Sequence, residues 1–224
     1  MEWVIIMKIR NRIINVLLIM GAILYIVVRF IIIPDNVRKE MEYNKAQYNA
    51  VTHDLNSILP YKSPYMGDAS NIINLYNNLP MAVDRTFQLL SDELTLEIYY
   101  KDTFLQVGAK SVEMQEDEEN DSNGKQNQVY QDEVFKDLIY NSTAAFALVD
   151  NLKKINYNFT DINYSVTRDR IEELYTVKLS ELLTEKNWRE LVQDKLKDSE
   201  FVNNSMYIFA EDPSQNPQIQ GSKE

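Results

Sequence analysis

The sequence predicts an α+β fold: a small mixed or antiparallel sheet packed by helices, preceded by one transmembrane helix and a membrane-proximal helix. Three observations carry that reading. Residues 13–33 form an apolar run interrupted only by Asn15 and Arg29. Beyond it, stretches with apolar residues every third or fourth position alternate with short stretches in which every second residue is apolar, the two periods of helix and strand. A hydrophobic content of 45% is enough for one medium-sized core in a chain of 224 residues.

The apolar run comes first. At about 1.5 Å per residue it spans about 30 Å, the thickness of a bilayer's hydrocarbon core. A buried core helix rarely needs apolar residues on all sides over this length. Arg29 lies close enough to the end of the run for its stem to carry the charge toward the headgroups. Lys8, Arg10 and Arg12 precede the run and favour a short cytoplasmic tail over residues 1–12, with the remainder of the chain extracytoplasmic. Arg38 and Lys39 on the far side weaken that bias. No A-x-A pattern follows the run, so an uncleaved anchor is expected; a start at Met7 would open with the basic-then-apolar order of an export signal.

Residues 34–58 are expected as a membrane-proximal helix, Pro34 being acceptable at a helix start. Val37, Met41, Asn44, Tyr48, Val51, Leu55 and Ile58 step by four and three, a heptad seam. Such a seam either forms a short coiled-coil stalk and a homodimer, or packs on its own domain. His53 falls off the stripe and is expected at the surface; it is no metal ligand, because metal sites need several converging donors.

Residues 59–210 are expected to form the extracytoplasmic α+β domain. Asp68 or Ser70 caps a helix bearing Ile72, Ile73, Leu75, Tyr76 and Leu79, which Pro80 ends. Residues 86–90 and 94–100 read as a hairpin turning at Ser91-Asp92-Glu93, with Leu94, Leu96, Ile98 and Tyr100 on one face. Residues 113–128 are acidic and almost free of aliphatics, a mobile loop whose pattern does not match a calcium-binding EF-hand loop. A helix is expected over 131–152, with Val134, Phe135, Leu138, Ile139, Ala145, Phe146 and Val149 facing one way. Ile155, Tyr157 and Phe159 alternate as a strand, and 164–166 read as another. Thr167 and Thr184 are placed to cap two further helices, the second with Trp188, Leu191, Val192 and Leu196 as its apolar face. Residues 201–209 are expected as a last strand and 211–224 as a disordered tail.

Charge and composition narrow the function. The chain carries −11; setting aside Lys8, Arg10, Arg12, Arg29 and Glu2, residues 35–224 hold 19 basic and 33 acidic side chains, or −14. That surface argues against nucleic acid, which needs a basic face, and it is repelled by anionic polymers. The absence of cysteine excludes disulfides, thiolate catalysis and zinc–thiolate sites. A single histidine leaves no Ser-His arrangement beyond His53, and Lys62-Ser63 has the wrong spacing for a helical S-x-x-K pair. No phosphate loop or dinucleotide fingerprint is present. The expectation is therefore a protein without cofactor, metal or catalytic residues.

Two stretches carry a family resemblance. Tyr61-Lys-Ser-Pro-Tyr-Met-Gly-Asp68, followed by SNIINLYNNLP, is similar to the opening motif of domain of unknown function forty-eight twenty-five. Asn141-Ser-Thr-Ala-Ala-Phe-Ala-Leu-Val-Asp-Asn151, then INYNF and Ser165-Val-Thr-Arg168, resembles its second half. The resemblance covers roughly residues 58–176. The chain departs from the pattern by Val166 and Thr167 between serine and arginine, and by the acidic stretch at 113–128. The resemblance implies an anchored or lipidated extracytoplasmic domain of Gram-positive bacteria, in some cases fused to sensor-like membrane proteins, and implies no reaction.

Tyr65, Asp68 and Arg168 are the candidate ligand-binding residues. One reading is architectural: Gly67 supplies a positive φ, Asp68 caps a helix and Tyr65 packs on the core. The other is a shallow site for a peptide or small ligand. The expected partners are the lipid bilayer through residues 13–33, a membrane protein or peptide, and a second copy of the chain. The expected role is a sensory or ligand-binding module, with an envelope scaffold dimerised through the membrane-proximal helix as the alternative.

Overall fold

The computed structural model describes residues 2–81, 83–115 and 126–211. Most of the expected acidic loop and all of the tail after Glu211 lie outside the described residues. The chain divides into two units between Asn44 and Lys45.

In the first unit, α1 (Glu2–Val27) continues through a π-helical turn, Val28–Ile32, into α2 (Ile33–Gln47). From Arg12 onward this helix is long and apolar enough to cross a membrane, with a mean hydropathy of 2.8 over its most apolar window and none of that window buried. Arg29 sits in the π turn, and Asp35 pairs with Arg38 and Lys39 at 2.7 Å each. Exposed pairs of this kind contribute little.

The helix stops at Gln47, not at residue 58 as the heptad seam predicts. Two side chains end it by offering the backbone another partner: Asn49 Oδ1 accepts from Val51 N at 2.8 Å, and Asp54 Oδ1 accepts from Asn56 N at 2.9 Å. The seam therefore serves two structures. Val37 and Met41 stay exposed on α2, whereas Leu55 and Ile58 are buried in turns that belong to the second unit.

The second unit is built on a mixed sheet of four strands, β1 (Arg85–Leu90), β2 (Thr95–Tyr100), β3 (Lys154–Asn158) and β4 (Asn163–Thr167). A two-residue strand, β5 (Ala210–Glu211), extends it at the β4 edge, giving the order β1-β2-β3-β4-β5. The β1–β2 and β3–β4 pairs are antiparallel hairpins; β2 and β3 run parallel. Parallel neighbours need a crossover, which two helices supply: α4 (Phe104–Gln115) and α5 (Gln126–Leu148). The two come close because residue 108 is glycine, where a Cβ would lie 2.4 Å from the Tyr130 carbonyl oxygen.

The core lies between the sheet and these helices. Leu96, Ile98, Tyr100, Ile155, Tyr157 and Val166 project from one sheet face, and most of α5 from Val134 on is buried. Tyr100 stacks on Phe159 at 4.5 Å, and Phe104 meets Phe159 edge-on. On the N-terminal side, α3 (Ala69–Asn77) is capped by Asp68, which accepts from Asn71 N at 3.0 Å.

After β4 the chain is helical. Thr167 precedes α6 (Arg168–Glu172) but makes no side-chain cap hydrogen bond, contrary to expectation. Thr184 does cap α7 (Glu185–Asn187), which runs through a π turn, Trp188–Gln193, into α8 (Asp194–Leu196). The strand expected over 201–209 is α9 (Ser199–Ser205) and a 3₁₀ turn, Met206–Ile208. The buried residues Val202, Ser205 and Ile208 step by three, and Asp198 accepts from Glu200 N at 2.9 Å as the cap. In so short a segment the helical period competes with an apparent alternation, and the cap decides between them.

Candidate functional site

The C-terminal end of α5 gathers several parts of the chain. Four carbonyls at a helix end lack intrahelical partners and must find others. Ser63 N donates to Leu148 O at 2.8 Å, and Asp150 N donates back to Ser63 O at 3.0 Å. Asn151 Oδ1 accepts from Met66 N at 2.7 Å. Arg168 completes the closure, its Nη2 donating to Val149 O at 2.7 Å and its Nε to Leu152 O at 2.9 Å. The guanidinium also lies over the Phe146 ring at 5.4 Å, a cation–π contact. A cation at a helix C-terminus is favoured by the helix dipole as well.

This junction has a pocket beside it, about 580 Å³ in volume. Phe146, Ala147 and Asp150 at the end of α5 form one wall, Arg168 and Glu172 of α6 another, and the segment 175–180 closes it. The Tyr175 hydroxyl is buried and bonded to Thr143 Oγ1 at 2.9 Å, so it is structural. Glu172 reaches Arg168 only loosely, at 3.8 Å. Among the described residues Asp150 and Lys178 make no ion pair, and both are exposed. The pocket therefore presents Asp150, which faces the Arg168 charge without a close ion pair, and the exposed Lys178 around a partly apolar floor.

Of the three candidate residues, only Arg168 lines this pocket. Asp68 is the α3 cap. Tyr65 is 69% exposed and does not pack on the core, and Gly67 does not use the left-handed backbone region. The turn is instead fixed by Ser63, whose Oγ accepts from Tyr65 N at 3.2 Å and donates to Tyr65 O at 3.0 Å. Asp150 lies in the second family-like stretch but is not singled out by it, and Glu172 and Lys178 carry no signal of a site in the sequence. Their charges are ordinary for an acidic surface, and only the closure of 175–180 against α5 brings them together.

His53 and Asp137 are buried away from this pocket. His53, expected at the surface, is 2% exposed. Trp188 Nε1 donates to Tyr140 Oη at 3.0 Å, and Tyr140 Oη lies 2.7 Å from His53 Nδ1. His53 Nε2 lies 2.6 Å from the Asn78 carbonyl. That carbonyl only accepts, so Nε2 carries the proton, Nδ1 accepts from Tyr140, and the ring is neutral. Burial pushes its pKa down to about 4. Asp137 is fully buried on α5; Ser111 Oγ donates to its Oδ2 at 3.2 Å, and Oδ1 has no partner among the described residues. Burial first, then the neighbouring Glu133, hold its pKa well above the usual carboxylate range.

A family model described as a domain of unknown function, DUF4825, matches residues 58–172, just over half the chain. The matched span covers the Ser63 turn, α5 and Arg168, and stops before the 175–180 wall of the pocket. No curated protein and no solved structure matches the chain.

Proposed function

Because the chain belongs to the DUF4825 family, a domain of unknown function, we propose that it is a membrane-anchored extracytoplasmic binding module that takes a peptide-sized ligand at the Arg168 pocket and acts as a sensor through membrane partners. One observation carries this reading: the pocket of about 580 Å³ opens where Arg168 closes the end of α5. Ligand sites are concave, partly apolar and furnished with a few fixed polar groups. Asp150 and Lys178 suit a ligand carrying both charges, as a short peptide does, while Phe146 and Ala147 supply apolar contact. The helix able to cross a membrane and the basic residues before it support an anchored domain with its N-terminus in the cytoplasm.

The test is a thermal-shift screen of the full chain in detergent against short peptides, neutral wall fragments and calcium. Peptides are expected to raise the melting temperature. Asp150→Ala and Lys178→Ala are expected to abolish that rise while leaving the unliganded melting temperature in place, because both side chains are exposed and make no ion pair among the described residues. No shift with any peptide sinks the reading.

A second reading, an envelope scaffold dimerised through α2, is favoured by Val37 and Met41, exposed four residues apart on one helix edge. Crosslinking in membranes tests it. A dimer that survives Met41→Asp removes the α2 seam as its cause.

A further inference from the structure

Arg168 closes the end of α5 with only part of its donor set. A guanidinium carries five N–H donors in one plane. Nε and Nη2 each give one, to the carbonyls of Leu152 and Val149. Among the described residues the other three, two on Nη1 and one on Nη2, meet no hydrogen-bond acceptor. They include the outer edge of the plane, where one N–H of each terminal nitrogen points the same way. That edge is the fork that takes both oxygens of a carboxylate. Two carbonyls and the Phe146 ring hold the plane in place, so little freedom is lost when the fork is used. The side chain is 20% exposed and lines the pocket.

Glu172 stands near that fork without closing it. Its Oε1 lies 3.8 Å from Nη1, beyond hydrogen-bond range, and its side chain is 47% exposed. A contact so long and so open to water is weak and easily exchanged. Lys178 is the other cation on the pocket wall, exposed and without an ion pair among the described residues. Glu172, Asp150 and Asp169 supply the negative charge around the guanidinium, and the first two line the pocket. Those acids disfavour a dianion such as phosphate. They suit a molecule that brings one carboxylate and one amine.

We infer, resting on the peptide reading of this pocket, that it recognises the free carboxyl terminus of a short peptide. The α-carboxylate takes the outer fork of Arg168, with Lys178 as the second cation, and displaces Glu172. The amine of the same molecule faces Asp150. An internal segment of a protein, or a peptide amide, lacks the group that the fork selects. Arg168 is thus the specificity-determining residue, and Glu172 a weak occupant of its fork that the ligand replaces.

The test uses the full chain in detergent micelles, followed by thermal shift. The probes are a degenerate tripeptide library with free carboxyl termini, the same library as carboxamides, and inorganic phosphate. The acid library is expected to act at a midpoint at least about tenfold below that of the amides, the usual effect of one charge-assisted pair. Replacing Arg168 would open the end of α5, so the variant is Glu172→Gln, whose side chain is exposed and holds nothing in place. It is expected to lower the acid midpoint about two- to threefold, because the competing carboxylate is gone, and to leave the amides unchanged. Equal action of acids and amides, or phosphate as effective as the acids, overturns the inference and leaves the peptide pocket standing. An acid midpoint that is unchanged or raised in Glu172→Gln also overturns it. No shift with either library ends both readings.

Discussion

At the scale of single residues, two buried titratable groups pull stability in opposite directions with pH. His53 has a folded pKa near 4 against an ordinary 6.5. The unfolded chain takes up the proton first as pH falls, so stability is complete above about 6.5 and declines toward about 4. The loss is at most about 3.5 kcal/mol, since each tenfold change in proton affinity is worth about 1.4 kcal/mol. Denaturant melts between pH 7 and 4 should show this decline, flattened in His53→Gln. Asp137 works the other way. Its folded pKa is raised, so the stability it contributes is present at acid pH and lost as pH climbs through the folded value. Asp137→Asn is expected to raise the melting temperature at pH 7. Neither role is legible in the sequence. His53 lies off the heptad seam, and its burial follows from a helix that stops at Gln47, which Asn49 and Asp54 cause by short-range bonds. Asp137 sits among apolar positions of α5, where a helical period alone does not say how wide the buried face is.

At the scale of elements, what is legible has a local chemical signature. The β1–β2 hairpin, α3 with its Asp68 cap, the β3–β4 pair and the bulk of α5 follow from alternation, helical spacing and capping residues. Asp68→Ala is expected to cost about 1 kcal/mol, the usual worth of an N-cap, with no effect on peptide binding at Arg168. The helix α4 is absent from the expected elements although it carries a capping box. Thr103 Oγ1 accepts from Gln106 N at 3.3 Å, and Gln106 Oε1 accepts from Thr103 N at 3.0 Å. The acidic residues that follow mask its period. The α4–α5 approach yields a sharper prediction. A methyl group at residue 108 meets a backbone oxygen, not a side chain that can turn away. Gly108→Ala should therefore separate the helices and cost about 1–3 kcal/mol in thermal or urea melts, despite alanine's better helix propensity.

At the scale of the whole molecule, the sequence announces the apolar helix and the α+β class but not the candidate site. A long apolar run is a one-dimensional signal, readable from length alone. The pocket is assembled from α5, α6 and the segment after it, so it exists only once distant parts have met. The full chain is expected to sediment with membranes and to resist alkaline carbonate extraction; recovery in the soluble fraction would dismiss the anchor.

Gln193 Nε2 donates to the carbonyls of Ala50 at 3.4 Å and His53 at 2.8 Å, and Trp188 reaches the same histidine through Tyr140. Ribosomes make these carbonyls long before the amide that satisfies them. A chain that ends short of residue 188 lacks the donors that satisfy those two carbonyls, although Asn78 and Tyr140 still hold His53. The first turns of the domain are thus held from both directions along the chain, by Asn78 and Tyr140 through His53 and, last to be made, by Gln193.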